Sequence, residues 1–295
     1  MLSQIKCVTV MAADLDAVKH AYKEFLGYHV SFAGQVTPQL AELWGAPGCS
    51  GRSYIQMQPE ASQDFYFRFI EVSDAINYEP LTTFGWNAAE LIVQDVDSLA
   101  ERLAGSPFRI IGEPEDLSFS SDIRAMQVLG PAQEVLYLTQ FKQKVAEFPV
   151  PDAGSFVGDT FIAILGAARI PDIGDFYARV FGVPNPPGFE AKIAVLSDAF
   201  GLPTEQLHPI AALPLGKKCY IEVDQLPAEA GERQVTAGDL PPAIAMVSFE
   251  TENLDVHGSS LVSPACRIDE APYSGHRAGV LRGVAGELIE LIESK

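Results

Sequence analysis

The closing stretch of the sequence, Gly286-Glu287-Leu288-Ile289-Glu290-Leu291-Ile292, sets one carboxylate, Glu290, into an apolar run. A carboxylate among apolar neighbours has its charged form disfavoured, so its pKa rises toward neutrality, where it can give or take a proton. The stretch has a twin. At a constant shift of 153, residues 277–291 fall on residues 124–138, with Arg, Ala, Gly, Ala, Glu and Leu recurring and Tyr137 standing where Glu290 does. A second carboxylate, Glu222 in Tyr220-Ile221-Glu222-Val223, falls on Glu71 in Phe69-Ile70-Glu71-Val72 at a shift of 151. His276 precedes Arg277 on the way into the Glu290 hairpin and adds an imidazole, which titrates near neutral pH. His208 is a lesser candidate of the same kind.

The elements that must position these groups repeat as well. Residues 4–11 read as a half-buried strand, and Asp14 is placed to cap a helix through Val18, Tyr22, Phe25 and Leu26 that Gly27 ends. Strands follow at 28–32, 53–58 and 64–72, separated by a Gly- and Pro-bearing insertion around residues 43–48. Residues 85–140 repeat the order strand, helix, three strands, with Asp95-Val96-Asp97 opening the helix. The second half restarts it. Residues 176–182 match 21–27, Phe200-Gly201-Leu202-Pro203 matches Trp44-Gly45-Ala46-Pro47, and Asn253-Leu254-Asp255 matches Asp95-Val96-Asp97. Self-similarity at a nearly fixed period across the chain is the mark of duplication. The Pro-bearing stretch 143–157 is the natural linker, dividing a domain at 1–142 from one at 158–295.

Composition restricts the function classes. The chain of 295 residues carries a net charge of −19, from 39 acidic against 20 basic residues. That balance opposes a nucleic-acid backbone and an anionic membrane surface, both of which are bound through Lys and Arg. No run of 18 apolar residues occurs, and the four cysteines lie far apart without C-x-x-C spacing, so reduced thiols in a cytoplasmic protein are expected.

Four βαβββ units, with Phe25-Leu26-Gly27 after the first helix, Gly85-Trp86 before the second unit and Gly286-Glu287-Leu288-Ile289-Glu290-Leu291 at the end, resemble the vicinal oxygen chelate superfamily. That superfamily contains glyoxalases, bleomycin-resistance proteins, epimerases and extradiol dioxygenases. The resemblance implies an α+β fold of four βαβββ modules paired into two curled-sheet lobes, each a cup around a metal. It implies ligand positions on the first and last strands of paired units, which fall on Cys7, Glu71, Ala88 and Tyr137 in the first half and on Ile162, Glu222, Met246 and Glu290 in the second. No histidine occupies any of them, so the standard divalent metal site is expected to be absent. Glu222 and Glu290 are then expected as general acid and base in one C-terminal cup, with His276 as a further catalytic candidate. Ile162, Met246, Glu71 and Tyr137 are expected to contact substrate. The implied function is binding of a small, largely apolar organic molecule by a lyase- or isomerase-type enzyme. Two alternatives stand beside it: a non-catalytic small-molecule sequestering protein of the bleomycin-resistance kind, and a metal-dependent, ring-cleaving enzyme with displaced ligands, His208 or His276 joining Glu222 and Glu290. The strands exposed at either lobe can support a homodimer.

Overall fold

The computed structural model describes all residues except 1, 63, 74–77, 147 and 295. The first module consists of β1 (Ile5–Ala12), α1 (Leu15–Ala21), β2 (Tyr28–Gln35), α2 (Pro38–Leu43), β3 (Ser53–Pro59) and β4 (Tyr66–Glu71). The second contains β5 (Gly85–Val93), α3 (Val96–Leu103), β6 (Arg109–Leu117), β7 (Ser120–Leu129) and β8 (Val135–Phe141). The third contains β9 (Val157–Ala167), α4 (Ile170–Phe181), β10 (Phe189–Lys192), α5 (Ala194–Ala199), β11 (Leu207–Pro214) and β12 (Tyr220–Gln225). The fourth contains β13 (Ile244–Thr251), β14 (Cys266–Arg267), β15 (Arg277–Arg282) and β16 (Leu288–Glu293).

Local chemistry sets the helix boundaries. The Asp14 carboxylate accepts from the Ala17 amide at 2.9 Å, and Asp95 does the same for Ser98 at 3.0 Å, satisfying first-turn N–H groups. After α1 the chain runs through one π-helical turn, Tyr22–Leu26, and stops at Gly27, whose φ of +73° is open to glycine. The helix expected after Asn253 is instead a 3-10 stretch, Asp255–Ser260. The insertion at 43–48 holds the end of a true helix, α2, capped by Thr37 and begun by Pro38.

The sheets do not follow the halves of the chain. One has the order β14-β15-β16-β13-β1-β4-β3-β2 and joins modules one and four; the other, β10-β11-β12-β9-β5-β8-β7-β6, joins modules two and three. The first is called sheet A and the second sheet B below. The expected pairing within 1–142 and within 158–295 is therefore corrected. The physical cause lies in the strand edges: β1 pairs antiparallel with β13, and β5 pairs antiparallel with β9 across the 143–157 connection. The main core, including Val8, Val10, Phe67, Phe69, Leu91, Leu138, Leu165 and Ile221, lies on the helix side of both sheets, while each concave face holds its own smaller cluster.

The recurring Gly and Glu of the closing hairpins are structural. Glu134 accepts from the Ala132 amide and the Tyr22 hydroxyl, and Glu287 accepts from the Ala285 amide and the Tyr177 hydroxyl. Each carboxylate folds under a glycine. A Cβ on Gly130 would lie 2.1 Å from Glu134 Oε1, and one on Gly283 would lie 1.8 Å from Glu287 Oε1.

Candidate active site

Strand register decides what each cup contains, because residues side by side on neighbouring strands share a face. In sheet A, Thr9 pairs with Arg68 and Ser248 with Glu290. In sheet B, Glu90 pairs with Tyr137 and Ile164 with Glu222. Glu222 and Glu290 thus sit in different cups, so the expected single C-terminal dyad does not form. Met246 goes with Glu290 in the cup of sheet A, and Ile162 goes with Tyr137 in the cup of sheet B.

Pairing places Arg68, rather than Glu71, at the position equivalent to Glu222, a shift of 154 instead of 151. An odd difference in register turns a side chain to the opposite face, and Glu71 is exposed at the end of β4. The signal was present in the sequence: Phe65, Phe67 and Phe69 form the helix-side stripe, which leaves Arg68 alternating onto the cup. His276 belongs to neither cup. It lines a surface groove with Arg267, Arg277 and Glu293, where the chain turns into β15.

The cup of sheet A is closed around a neutralised pair. Glu290 is wholly buried and accepts from Trp44 Nε1 at 2.8 Å, from the Tyr273 hydroxyl at 2.6 Å and from the Ser248 hydroxyl. The Arg68 guanidinium lies 3.6 Å from its other side, between the rings of Trp44 (4.9 Å) and Tyr273 (5.3 Å). Burial works against the Arg68 charge, but Tyr273, Cys7 and Glu290 outweigh it and hold the group protonated. Burial also pushes the Cys7 thiol up, against the pull of Arg68. These residues do not suit the metal that the fold family implies. A fixed cation already stands at one of the four ligand positions, and three donors occupy Glu290.

The cup of sheet B has carboxylates and, among the described residues, no Lys, Arg or His paired with them. Glu90 on β5 is raised to about 8, by burial first and then by the charge of Glu222. Asp224 on β12 is raised to about 7, again by burial first, with Glu90 adding to it. Glu222 is pushed well above the usual carboxylate range by burial and by Asp224, with which it shares a hydrogen bond. Two close carboxyl groups cannot both ionise easily away from water, so of the two Glu222 is the one that holds the proton and donates its hydrogen bond to Asp224. Glu222 is nonetheless half-buried by area, so it faces into open space within the concave face.

Thr139 hydrogen-bonds Glu90, but two buried polar atoms beside these carboxyls have no hydrogen-bond partner, Asp224 Oδ1 and the Tyr137 hydroxyl. Unpaired polar atoms at such depth cost free energy and ask for a partner. The walls are Ile162, Ile164, Phe161 and Tyr220, with Phe148 of the linker stacked on Tyr220 at 4.3 Å. Farther out on β11, His208 Nε2 and Ser197 Oγ are 2.8 Å apart, and burial lowers the His208 pKa. Metal ligation does not suit this cup either. Ala88 and Ile162 supply no donor, and among the described residues no three His, Cys, Asp or Glu side chains converge as a metal ion requires. Sequence reasoning missed Glu90, Asp224 and Arg68, which lie two or three places from the positions the resemblance marked.

No family model and no curated protein matches this sequence. Solved structures do. A mutant of glyoxalase I from Zea mays superposes with a TM-score of 0.65 at 13% identity, over 98% of this chain and 93% of that one. A putative dioxygenase from Bacillus subtilis subsp. subtilis str. 168 superposes with a TM-score of 0.66 at 11% identity, over 99% and 85%. The protein has the vicinal oxygen chelate fold, in its four-module, two-lobe form. No helix of the described residues is long and apolar enough to cross a membrane.

Proposed function

We propose that the protein binds a small, largely apolar organic molecule in the cup of sheet B and moves a proton on it, as a lyase or isomerase does. One observation carries this reading: where sheet A carries the neutralised Arg68–Glu290 pair, sheet B carries Glu222 and Tyr137, and Glu90 and Asp224 stand beside them with pKa values raised toward neutrality. In this reading Asp224, ionised in part near pH 7, takes a proton from the bound molecule, and Glu222 donates one. Tyr137 orients a polar group of the ligand, and Ile162 and Ile164 enclose its apolar body. Glu290, Met246 and Arg68 hold the other lobe together and take no part in the chemistry. Each cup is built from modules of one chain, so the site needs no second copy.

The test is proton exchange. Fragments that bind the protein are incubated with it in D2O, and deuterium incorporation at carbon is followed by NMR. Wild-type protein is expected to exchange at least one C–H position, and Glu222→Gln to lose the exchange while still binding. General acid–base groups contribute about 10²–10⁴-fold, so the loss should be of that order. A bound ligand that keeps every C–H bond would mean sequestration without chemistry.

A further inference from the structure

The two cups provide an internal comparison that bears on the charge of the ligand. In sheet A the buried carboxylate has its own cation, a guanidinium held between two aromatic rings. The residue at the equivalent place in sheet B is Glu222, so the substitution both removes a positive charge and adds a carboxyl. Among the described residues no Lys, Arg or His is paired with Glu90, Glu222 or Asp224. The aromatic surroundings persist, as Tyr137, Phe161 and Tyr220.

We propose that the cup of sheet B takes an organic cation, a protonated amine on an apolar body, with its ammonium head among Glu90, Glu222 and Asp224. This rests on the sheet-B cup being the binding site. An ammonium group brings N–H donors, and the buried Asp224 Oδ1 and Tyr137 hydroxyl are acceptors lacking a partner. It also brings the charge that lets the carboxyls ionise, which removes the cost of burying them unpaired. The face of an aromatic ring attracts a cation, as Trp44 and Tyr273 do for Arg68. A bare metal ion needs donors at close range from several sides, and these carboxyls do not converge that tightly. An anionic ligand would meet like charge.

The groups that titrate on this face are Glu90, Glu222, Asp224, Tyr137 and Tyr220, with His208 and its neighbour Glu190 at the edge. Binding a cation lowers carboxyl pKa values, so it must release protons near pH 7, and affinity must rise with pH through the range in which Asp224 and Glu90 titrate.

Calorimetric titration of the full chain with 2-phenylethylamine, 2-phenylethanol and 3-phenylpropionate tests this, in two buffers of different protonation enthalpy. The amine is expected to bind saturably and about tenfold or more tighter than the alcohol, with the carboxylate weakest and protons released on amine binding. Asp224→Asn and Glu90→Gln should erase most of the preference for the amine, and His276→Gln should leave it unchanged. Removing a buried carboxyl that nothing neutralises should not unfold the chain, and a melt checks this. Equal or tighter binding of the alcohol or the carboxylate overturns the proposal. So does amine binding that ignores both variants, or no saturation at concentrations on the order of millimolar. Amine binding without deuterium exchange would leave this inference standing and remove the acid–base reading. Exchange on a neutral ligand with no preference for amines would do the reverse.

Discussion

Replacing Arg68 by Met removes the positive charge that, among the described residues, is the only one paired with Glu290, wholly buried in the cup of sheet A. Breaking a buried ion pair from one side typically costs about 3–5 kcal/mol, because the remaining charge stays desolvated. Met fills much of the Arg side-chain volume, so the loss is mainly electrostatic. Glu290→Gln alone leaves Arg68 without its counter-charge and should cost a similar amount. The Gln oxygen still accepts from Trp44 and Tyr273, so the double variant should recover to within about 1 kcal/mol of wild type, as paired apolar replacements of buried ion pairs do. The expected coupling between the two sites is thus on the order of 5 kcal/mol or more. Urea unfolding followed by the fluorescence of Trp44 and Trp86 and by far-UV circular dichroism measures it. In thermal melts each single variant should lose roughly 6–15 °C, since about 1 kcal/mol moves the midpoint by a few degrees in a chain of this size. A single variant that costs under about 1 kcal/mol, or a double variant as unstable as the sum of the singles, would refute the closed-pair account of sheet A.

The remaining expectations concern protons and thiols. Glu90 (about 8), Asp224, Glu134 and Glu287 (each about 7) hold protons in the folded chain above their ordinary values of 4.5 for Glu and 3.8 for Asp. Their stabilisation is fully present below the unfolded pKa values and is lost as pH rises through 7 to 8, so the chain should be more stable near pH 5.5 than near pH 8. Each group contributes about 1–2 kcal/mol to that difference. Denaturation midpoints across that range check the sign, and a rise in stability toward pH 8 would contradict it. Cys7, Cys49 and Cys219 are buried, and burial raises all three, Cys49 to about 12 and Cys219 to about 11. A disulfide reagent should therefore titrate at most Cys266 in the native protein, and all four thiols after denaturation. Rapid labelling of Cys7 would mean that the cup of sheet A is open. Deuterium exchange lost in Glu222→Gln remains the test of the chemistry.

Much of the fold was legible because the information is local and repeated. Asp14 and Asp95 cap helices, Gly27 and Gly182 end them, and the Gly130/Glu134 and Gly283/Glu287 hairpins recur because the same packing recurs. Which module pairs with which was not legible, since either partner offers β1 or β5 a strand of similar pattern. The choice emerges only in the sheet order. The site was half legible. Glu222 and Ile162 share one concave face as the resemblance implies, but Tyr137, expected in the cup of the first half, joins them, while Glu290 and Met246 face the other cup. Glu71 was misplaced by three residues of register, enough to reverse the face, and the same slip hid Arg68. Glu90 and Asp224 carried no motif; only the depth at which the fold buries them gives them interest.

The central claim, that the open cup is that of sheet B and the cup of sheet A is sealed, has a direct test in isoleucine methyl NMR. Protein labelled at the isoleucine δ-methyl groups would be titrated with small apolar fragments. Ile162, Ile164 and Ile92 line the sheet-B cluster, and Ile70, Ile268 and Ile292 line that of sheet A. The account predicts saturable shifts at the first three and none at the second three. Shifts confined to Ile70, Ile268 and Ile292 would contradict it and return the functional site to Glu290 and Arg68.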